Sequence, residues 1–257
     1  MVLLIIGTVV IQLTWAENTG DTKVDLMEGF QAALTHLTTD KRIWLVGISQ
    51  SLFEGSMYTF VFMWTPQLEE TNITGDKLPY GTVFAIFMVS CMIGSTCVGM
   101  LGRWKQAREY MVYVFLVAAL ALFPAASGMG FVAQLLGFCV FEGCVGVYFP
   151  TWGSLRSEVV PEECRSAIMN LFRVPLNFIV VCILINIDTL TGSAVFTMCF
   201  MGLLASAACQ LLLNQQLQKA EQERATASGK EETQELMDDA AETALDILGI
   251  GEAPHEV

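Results

Sequence analysis

The chain has 257 residues, of which 54% are hydrophobic and only 15% are charged, whereas soluble domains carry about 25% charged residues. This composition argues against a soluble globular domain and indicates a membrane protein. The formal net charge of −13 comes mostly from residues 215–257, which hold 11 acidic and 3 basic side chains, and nothing in this distribution supports nucleic-acid binding.

Six apolar stretches of 19–24 residues are each long enough to cross a hydrocarbon core of roughly 30 Å as a helix. They are residues 43–66, 80–101, 109–127, 131–154, 168–188 and 192–214. An all-α bundle is therefore predicted. The flanking segments are expected to be a remnant of a preceding transmembrane helix (1–15), a central cytoplasmic loop (16–42) and a largely disordered acidic tail (215–257).

Basic residues alternate between the connections, and they favour the cytoplasmic side of a membrane. Eleven fall on one predicted side, while Lys77 is alone on the other. The eleven are Lys23, Lys41, Arg42, Arg103, Lys105, Arg108, Arg156, Arg165, Lys219, Arg224 and Lys230. The pattern predicts a multi-pass membrane protein with a cytoplasmic C-terminus. The plasma membrane is the expected location. Asn72 begins a glycosylation sequon, Asn-Ile-Thr, in a loop predicted to be exterior.

Two spans each carry a carboxylate within the triplet Phe-Glu-Gly. Glu54 lies 11 residues into the first span and Glu142 lies 11 residues into the fourth, so each is about 16 Å deep, near the bilayer midplane. A buried charge in a membrane is costly and marks a functional candidate. Because the two spans run in opposite directions, the match predicts an inverted 3+3 repeat with both carboxylates lining a cavity or coupling protons.

Other intramembrane features are less specific. Ser90 with Gly94, and Gly202 with Ser206, have the spacing of small residues at close helix contacts. Arg173 lies about 8 Å inside its span by helical rise. Its side chain either extends to the headgroups or binds the substrate as an anion clamp, since a guanidinium binds oxyanions through paired hydrogen bonds.

Several blocks of residues carry a resemblance to a known family. They are Asp40-Lys41-Arg42, Phe62-Met63-Trp64-Thr65-Pro66, Gly146-Val147-Tyr148-Phe149-Pro150, Leu155-Arg156, Val160-Pro161-Glu162 and Phe172-Arg173-Val174-Pro175-Leu176. Together they resemble the molybdate-anion transporters of the major facilitator superfamily, in their C-terminal half only. The resemblance implies a six-helix bundle and secondary active transport of a small oxyanion, molybdate. It also implies a missing N-terminal half, with this chain a truncated half that pairs with that half or with another half-transporter.

Burial favours the neutral form of a carboxyl group, and a dianion is repelled by ionised carboxylates, so proton-coupled uptake is predicted. No cofactor or catalytic group is predicted, and with only His36 and His255 no metal site is expected. Two alternatives remain open at this stage. One is a seven-helix receptor that counts residues 1–15 as a span, and the other is a non-transporting membrane scaffold.

Overall fold

The computed structural model describes residues 2–15, 26–72, 77–187 and 189–247, and within these ranges the chain is helical apart from short connections. The helices are α1 (Val2–Thr14), α2 (Leu26–Thr39), α3 (Lys41–Glu70), α4 (Tyr80–Trp104), α5 (Ala107–Ala126), α6 (Phe131–Val159), α7 (Arg165–Ile185) and α8 (Gly192–Ile247). A short 3₁₀ turn, Glu162–Cys164, precedes α7. The all-α membrane fold predicted from composition is confirmed.

Five of the described helices, α4 to α8, are long and apolar enough to cross a membrane. They coincide with five of the six predicted spans. The remaining one, α3, is 30 residues long, but its polar side chains lower its apolar character. Six of them are buried inside the bundle, namely Ser49, Gln50, Ser51, Ser56, Thr59 and Gln67. The helix is therefore sheltered by its neighbours, which is where a membrane bundle accommodates polar groups.

The helices pair in a symmetric pattern. In the first triplet (α3, α4, α5) α4 packs on α6 and α3 packs on α8, while in the second triplet (α6, α7, α8) α7 packs on α3 and α6 packs on α5. Exchange of the two triplets converts each of these contacts into another of them, and the contacts of α5 with α8 and of α3 with α6 map onto themselves. This is the pairing of a 3+3 inverted repeat.

Small residues produce the closest helix crossings. A Cβ atom added to Gly94 of α4 would overlap the carbonyl oxygen of Gly143 on α6, and one added to Gly146 would overlap that of Cys91. On the other side of the bundle, Ser49 of α3 and Ser206 of α8 each donate a hydroxyl hydrogen bond to the other's carbonyl oxygen at 3.3 Å. Both small-residue pairs predicted from spacing therefore lie at helix contacts.

Both of the longer flanking segments contain helices. The predicted central loop contains α2, which buries Ala33 and Leu37 against Ile168 and Phe172 of α7. In the predicted disordered tail, α8 continues without interruption to Ile247, through a sequence rich in the strong helix formers Ala, Glu, Gln and Lys. Ile73 and Thr74 of the sequon and residues 248–257 of the predicted tail lie outside the described residues. The helix α1, in the predicted remnant of a preceding span, is short and apolar and has no buried residue.

Asp40 caps the N-terminus of α3, which begins at Lys41, and it pairs with Arg42. Its Oδ1 accepts a hydrogen bond from the Arg42 backbone N–H at 2.9 Å, and Arg42 Nη2 donates to Oδ2 at 2.6 Å. Burial alone would raise the pKa of the Asp40 carboxyl, but the hydrogen bonds from Arg42 outweigh it and hold this pKa below its ordinary value. A group of this kind stabilises the fold above its unfolded-state pKa, and the contribution is lost as pH falls through the folded-state pKa.

The cap predicts a graded response to substitution. Asp40→Ala removes both the cap and the charge and should lower the stability of the bundle near neutral pH by about 1 kcal/mol. Asp40→Asn keeps a capping oxygen and should cost less, and its difference from wild type should shrink below about pH 4. Thermal unfolding in detergent across a pH series measures both effects. Equal losses in the two variants at neutral pH would mean that the cap hydrogen bond contributes nothing.

Candidate functional site

The site is centred on a contact between α3 and α6. The carboxylate Oε1 of Glu54 accepts a hydrogen bond from the hydroxyl of Tyr148 at 3.0 Å. The Tyr148 ring is only 1% exposed. It stacks on Phe53 with ring centroids 4.1 Å apart and on Trp152 with centroids 5.4 Å apart. The ring is thus held rigidly, and its hydroxyl fixes the position of the carboxylate.

A second hydrogen bond runs parallel to the first. Trp152 Nε1 donates to Gln50 Oε1 at 3.3 Å, and both side chains are buried. Gln50 precedes Glu54 by four residues, and Trp152 follows Tyr148 by four. Residues four apart lie on one face of a helix, and α3 and α6 run in opposite directions along the bundle. The sequence therefore builds a two-rung polar contact between two antiparallel helices.

Glu142 is buried, but it does not join this contact. Its carboxylate lies within electrostatic range of the thiols of Cys91 on α4 and Cys139 on α6. Within the described part of the chain, no hydrogen-bond partner of Glu142 is found. The two predicted carboxylates thus face different neighbours and do not form one acidic pair.

Arg173 is exposed on α7, and its Nη1 donates to Asn170 Oδ1 at 3.4 Å. Its charge reaches the Glu54 carboxylate. The guanidinium is thus accessible from outside the bundle while acting on the buried cluster. Both interpretations of Arg173 predicted above, headgroup contact and anion clamp, place the side chain at such an open position.

Arg156, which the spans predict to lie in a cytoplasmic connection, belongs to the site although its charge was not assigned a role there. In the structure it lies in the last turn of α6 and, like Arg173, it acts electrostatically on Glu54. Its Nε is buried without a hydrogen-bond partner among the described residues. A signal was present in the sequence, because Tyr148, Trp152 and Arg156 are spaced by four residues and follow one face of α6.

Positive and negative charges of the site therefore lie at different depths in the bundle. Two guanidinium groups, of Arg156 and Arg173, lie toward the end of the bundle where α6 ends and α7 begins, and Glu54 lies deeper. We call this end, which also holds the start of α3, the basic end. Guanidinium groups bind oxyanions through charge-assisted, paired hydrogen bonds. A carboxylate held behind them can bind or release a proton as an anion arrives or leaves.

Two symmetry-related triplets of helices around a buried polar contact, with five of the six helices long and apolar enough to cross a membrane, define a multi-span helical membrane protein. The chain belongs to the MFS_5 family, which is described as sugar transporters with 12 transmembrane segments and whose model matches residues 1–145. This result and the relatives below confirm the family resemblance seen in the sequence motifs.

Curated relatives are named as molybdate-anion transporters. The Xenopus laevis protein is 30% identical over 223 residues, which are 82% of this chain and 48% of that protein. The Danio rerio protein is 34% identical over 155 residues, which are 56% of this chain and 30% of that protein. The chain thus spans about half the length of the first of these relatives. No solved structure matches the chain.

Proposed function

We propose that the chain takes part in secondary active transport of a small oxyanion, molybdate, across a membrane by alternating access. The observation that carries the proposal is the similarity to molybdate-anion transporters over 82% of the chain. Two arginines near a buried carboxylate supply chemistry suited to such a substrate. Neither the receptor nor the scaffold alternative requires this arrangement.

In the proposed mechanism, Arg156 and Arg173 bind the anion and Glu54 carries the coupled proton. With Glu54 ionised, one of the two positive charges is offset and a dianion is under-compensated. Protonation of Glu54 leaves two guanidinium charges to match the two negative charges of the substrate. Proton binding and anion binding would then favour each other, which is the requirement for coupled uptake.

The proposed transport cavity also requires a second set of helices opposite this bundle. The outward face of α4 is largely exposed, with Phe84, Met92 and Ile93 each more than half exposed. Every large apolar residue of α1 is exposed to a similar or greater degree. Since the chain spans about half of its curated relatives, we propose that a second half, the N-terminal half of such a transporter or another half-transporter, completes the cavity. The basic end would face the cytoplasm.

Uptake into proteoliposomes tests the proposal. The full chain is reconstituted alone and together with the N-terminal half of the Xenopus laevis relative, and molybdate accumulation is measured by elemental analysis. We expect accumulation in at least one arrangement. Arg173→Gln should reduce it roughly tenfold or more, since a hydrogen bond to a charged group contributes about 1.5–3 kcal/mol. Arg103→Gln, an exposed cation in the last turn of α4, is the matched control.

Sugar transport is the second candidate, because the matching family model is described by that activity. The same vesicles decide between the two. Accumulation of radiolabelled hexose that molybdate does not inhibit, without molybdate uptake, would replace the oxyanion proposal. If neither molybdate nor hexose accumulates in either arrangement, both the oxyanion proposal and the sugar proposal are contradicted.

A further inference from the structure

A groove of about 630 Å³ lies at the basic end, between the start of α3 and the extension of α8 beyond the bundle. It is separate from the Glu54 contact. Its charged lining consists of Asp40, Lys41, Arg42, Lys219, Glu223 and Arg224. Farther along α8, Lys230 lines an adjoining groove that shares Lys219 and Glu223 with this one.

The charge balance of the groove is positive. Arg42 and Asp40 neutralise each other in the ion pair at the start of α3. Three cations, Lys41, Lys219 and Arg224, then stand against the single carboxylate of Glu223. In the part of the chain that the structure describes, none of these three cations has a carboxylate oxygen within 4.0 Å. Like charges held close together without partners repel each other unless an anion lies between them.

A second contact holds the α8 extension in place. Arg108 of α5, whose side chain is only 6% exposed, donates Nη1 and Nη2 to the two carboxylate oxygens of Glu221 at 2.5 and 2.7 Å. The Arg108 carbonyl oxygen also accepts from Gln210 Nε2 at 3.1 Å. This bidentate pair ties the α8 extension to α5. Lys219 and Arg224, on either side of Glu221 in α8, line the groove beside the start of α3.

The depth of the groove indicates what it meets. Lys41 precedes the first predicted span by two residues, and Lys219 follows the last by five, about 8 Å of helix. Anionic headgroups occupy this level of a membrane and attract juxtamembrane Lys and Arg side chains. The groove is also much larger than one tetrahedral oxyanion, and its cations come from two different helices. We propose that it binds a phosphate-bearing anion with more than one charged group, from a lipid headgroup or from a soluble compound.

Ligand-dependent thermal unfolding of the purified full chain tests the proposal. The probes are a short-chain phosphatidylinositol bisphosphate, the soluble inositol trisphosphate, and molybdate. The wild-type melting temperature should rise with the phosphoinositide. In Lys219→Gln/Arg224→Gln the apparent affinity should fall at least about tenfold, because each basic residue near an anionic surface adds binding free energy. Lys77→Gln/Arg103→Gln removes the same charge from exposed sites that do not line the groove and should retain the affinity.

Each outcome decides the matter. A response to the phosphoinositide alone assigns the groove to a membrane lipid, and a response to both phosphate probes assigns it to phosphate-bearing anions in general. Unchanged affinity in Lys219→Gln/Arg224→Gln, an equal loss in the control pair, or a response to molybdate alone overturns the proposal. If Lys219→Gln/Arg224→Gln unfolds without ligand, Lys219→Arg/Arg224→Lys is measured in its place. This variant retains both charges and should keep the affinity. None of these results depends on whether the chain transports molybdate.

Discussion

Gly94→Ala should destabilise the bundle by about 3 kcal/mol, the upper part of the range for added bulk in a packed interior. The added Cβ atom would overlap the backbone carbonyl oxygen of Gly143. A side chain can rotate away from such a contact, but a helix backbone cannot. The crossing of α4 and α6 would therefore have to open along its length. The free energy of unfolding in mild detergent, or the melting temperature as its proxy, measures the effect.

The opposite glycine of the same crossing provides the control. A Cβ atom on Gly143 would meet only the Ser90 carbonyl oxygen, at 3.7 Å, an ordinary van der Waals contact. Alanine is also the better helix former by about 1 kcal/mol, so Gly143→Ala should leave the stability unchanged or raise it slightly. Gly146→Ala, which would overlap the Cys91 carbonyl oxygen, should behave like Gly94→Ala. Equal effects of Gly94→Ala and Gly143→Ala would show that the two helices do not cross as described.

The crossing of α4 and α6 was predictable from the sequence only in part. The spacing of Ser90 with Gly94 marks a face of small residues on one helix, and the spacing of Gly202 with Ser206 marks one on another. Spacing identifies which face of a helix is thin but not which helix it meets, since that depends on the packing of all the helices together. The inverted repeat narrows the choice, because a contact in one triplet implies its counterpart in the other.

The polar contact illustrates a different limit. Glu54 and Glu142 occupy matching depths, and this equivalence predicted a shared cavity. Along α6, however, Glu142 and Tyr148 are six residues apart, which corresponds to about 240° of rotation at 3.6 residues per turn. Tyr148 faces α3, so Glu142 is turned away from it. Depth follows from counting residues along a span, whereas facing also requires knowledge of the neighbouring helix.

Charged residues near helix ends were the least predictable. The apolar composition predicts a span that ends at residue 154 and so places Arg156 in a connection, yet α6 continues to Val159. Boundaries of helices are poorly defined by composition, since a polar turn can extend an apolar span into the headgroup region. The i, i+4, i+8 spacing of Tyr148, Trp152 and Arg156 is the more reliable signal, because it follows from helix geometry wherever the membrane ends.

Glu54→Gln should abolish the pH dependence of the proposed molybdate uptake. In the wild type, uptake that requires a protonated carboxyl group falls about tenfold for each pH unit above the titration midpoint. Glutamine keeps the size of the side chain and an oxygen that accepts the Tyr148 hydrogen bond, but it cannot titrate. The groups that act on this position are Tyr148 and Arg156 from α6, Arg173 from α7, and Gln50 from α3 itself. Initial uptake rates of molybdate in proteoliposomes between acid and neutral pH measure the effect.

Three variants separate coupling from structure. Tyr148→Phe retains the stacked ring but removes the hydrogen bond, so it should shift the midpoint of the pH profile without flattening it. Glu142→Gln tests the second carboxylate, which lies outside the contact and should leave the profile in place if Glu54 alone couples. Glu70→Gln makes the same change at an exposed position in the last turn of α3 and is the matched control. A Glu54→Gln profile that still follows the wild type would remove this carboxylate from the coupling step. If Glu142→Gln flattens the pH profile and Glu54→Gln does not, Glu142 would be the carboxylate that carries the coupled proton.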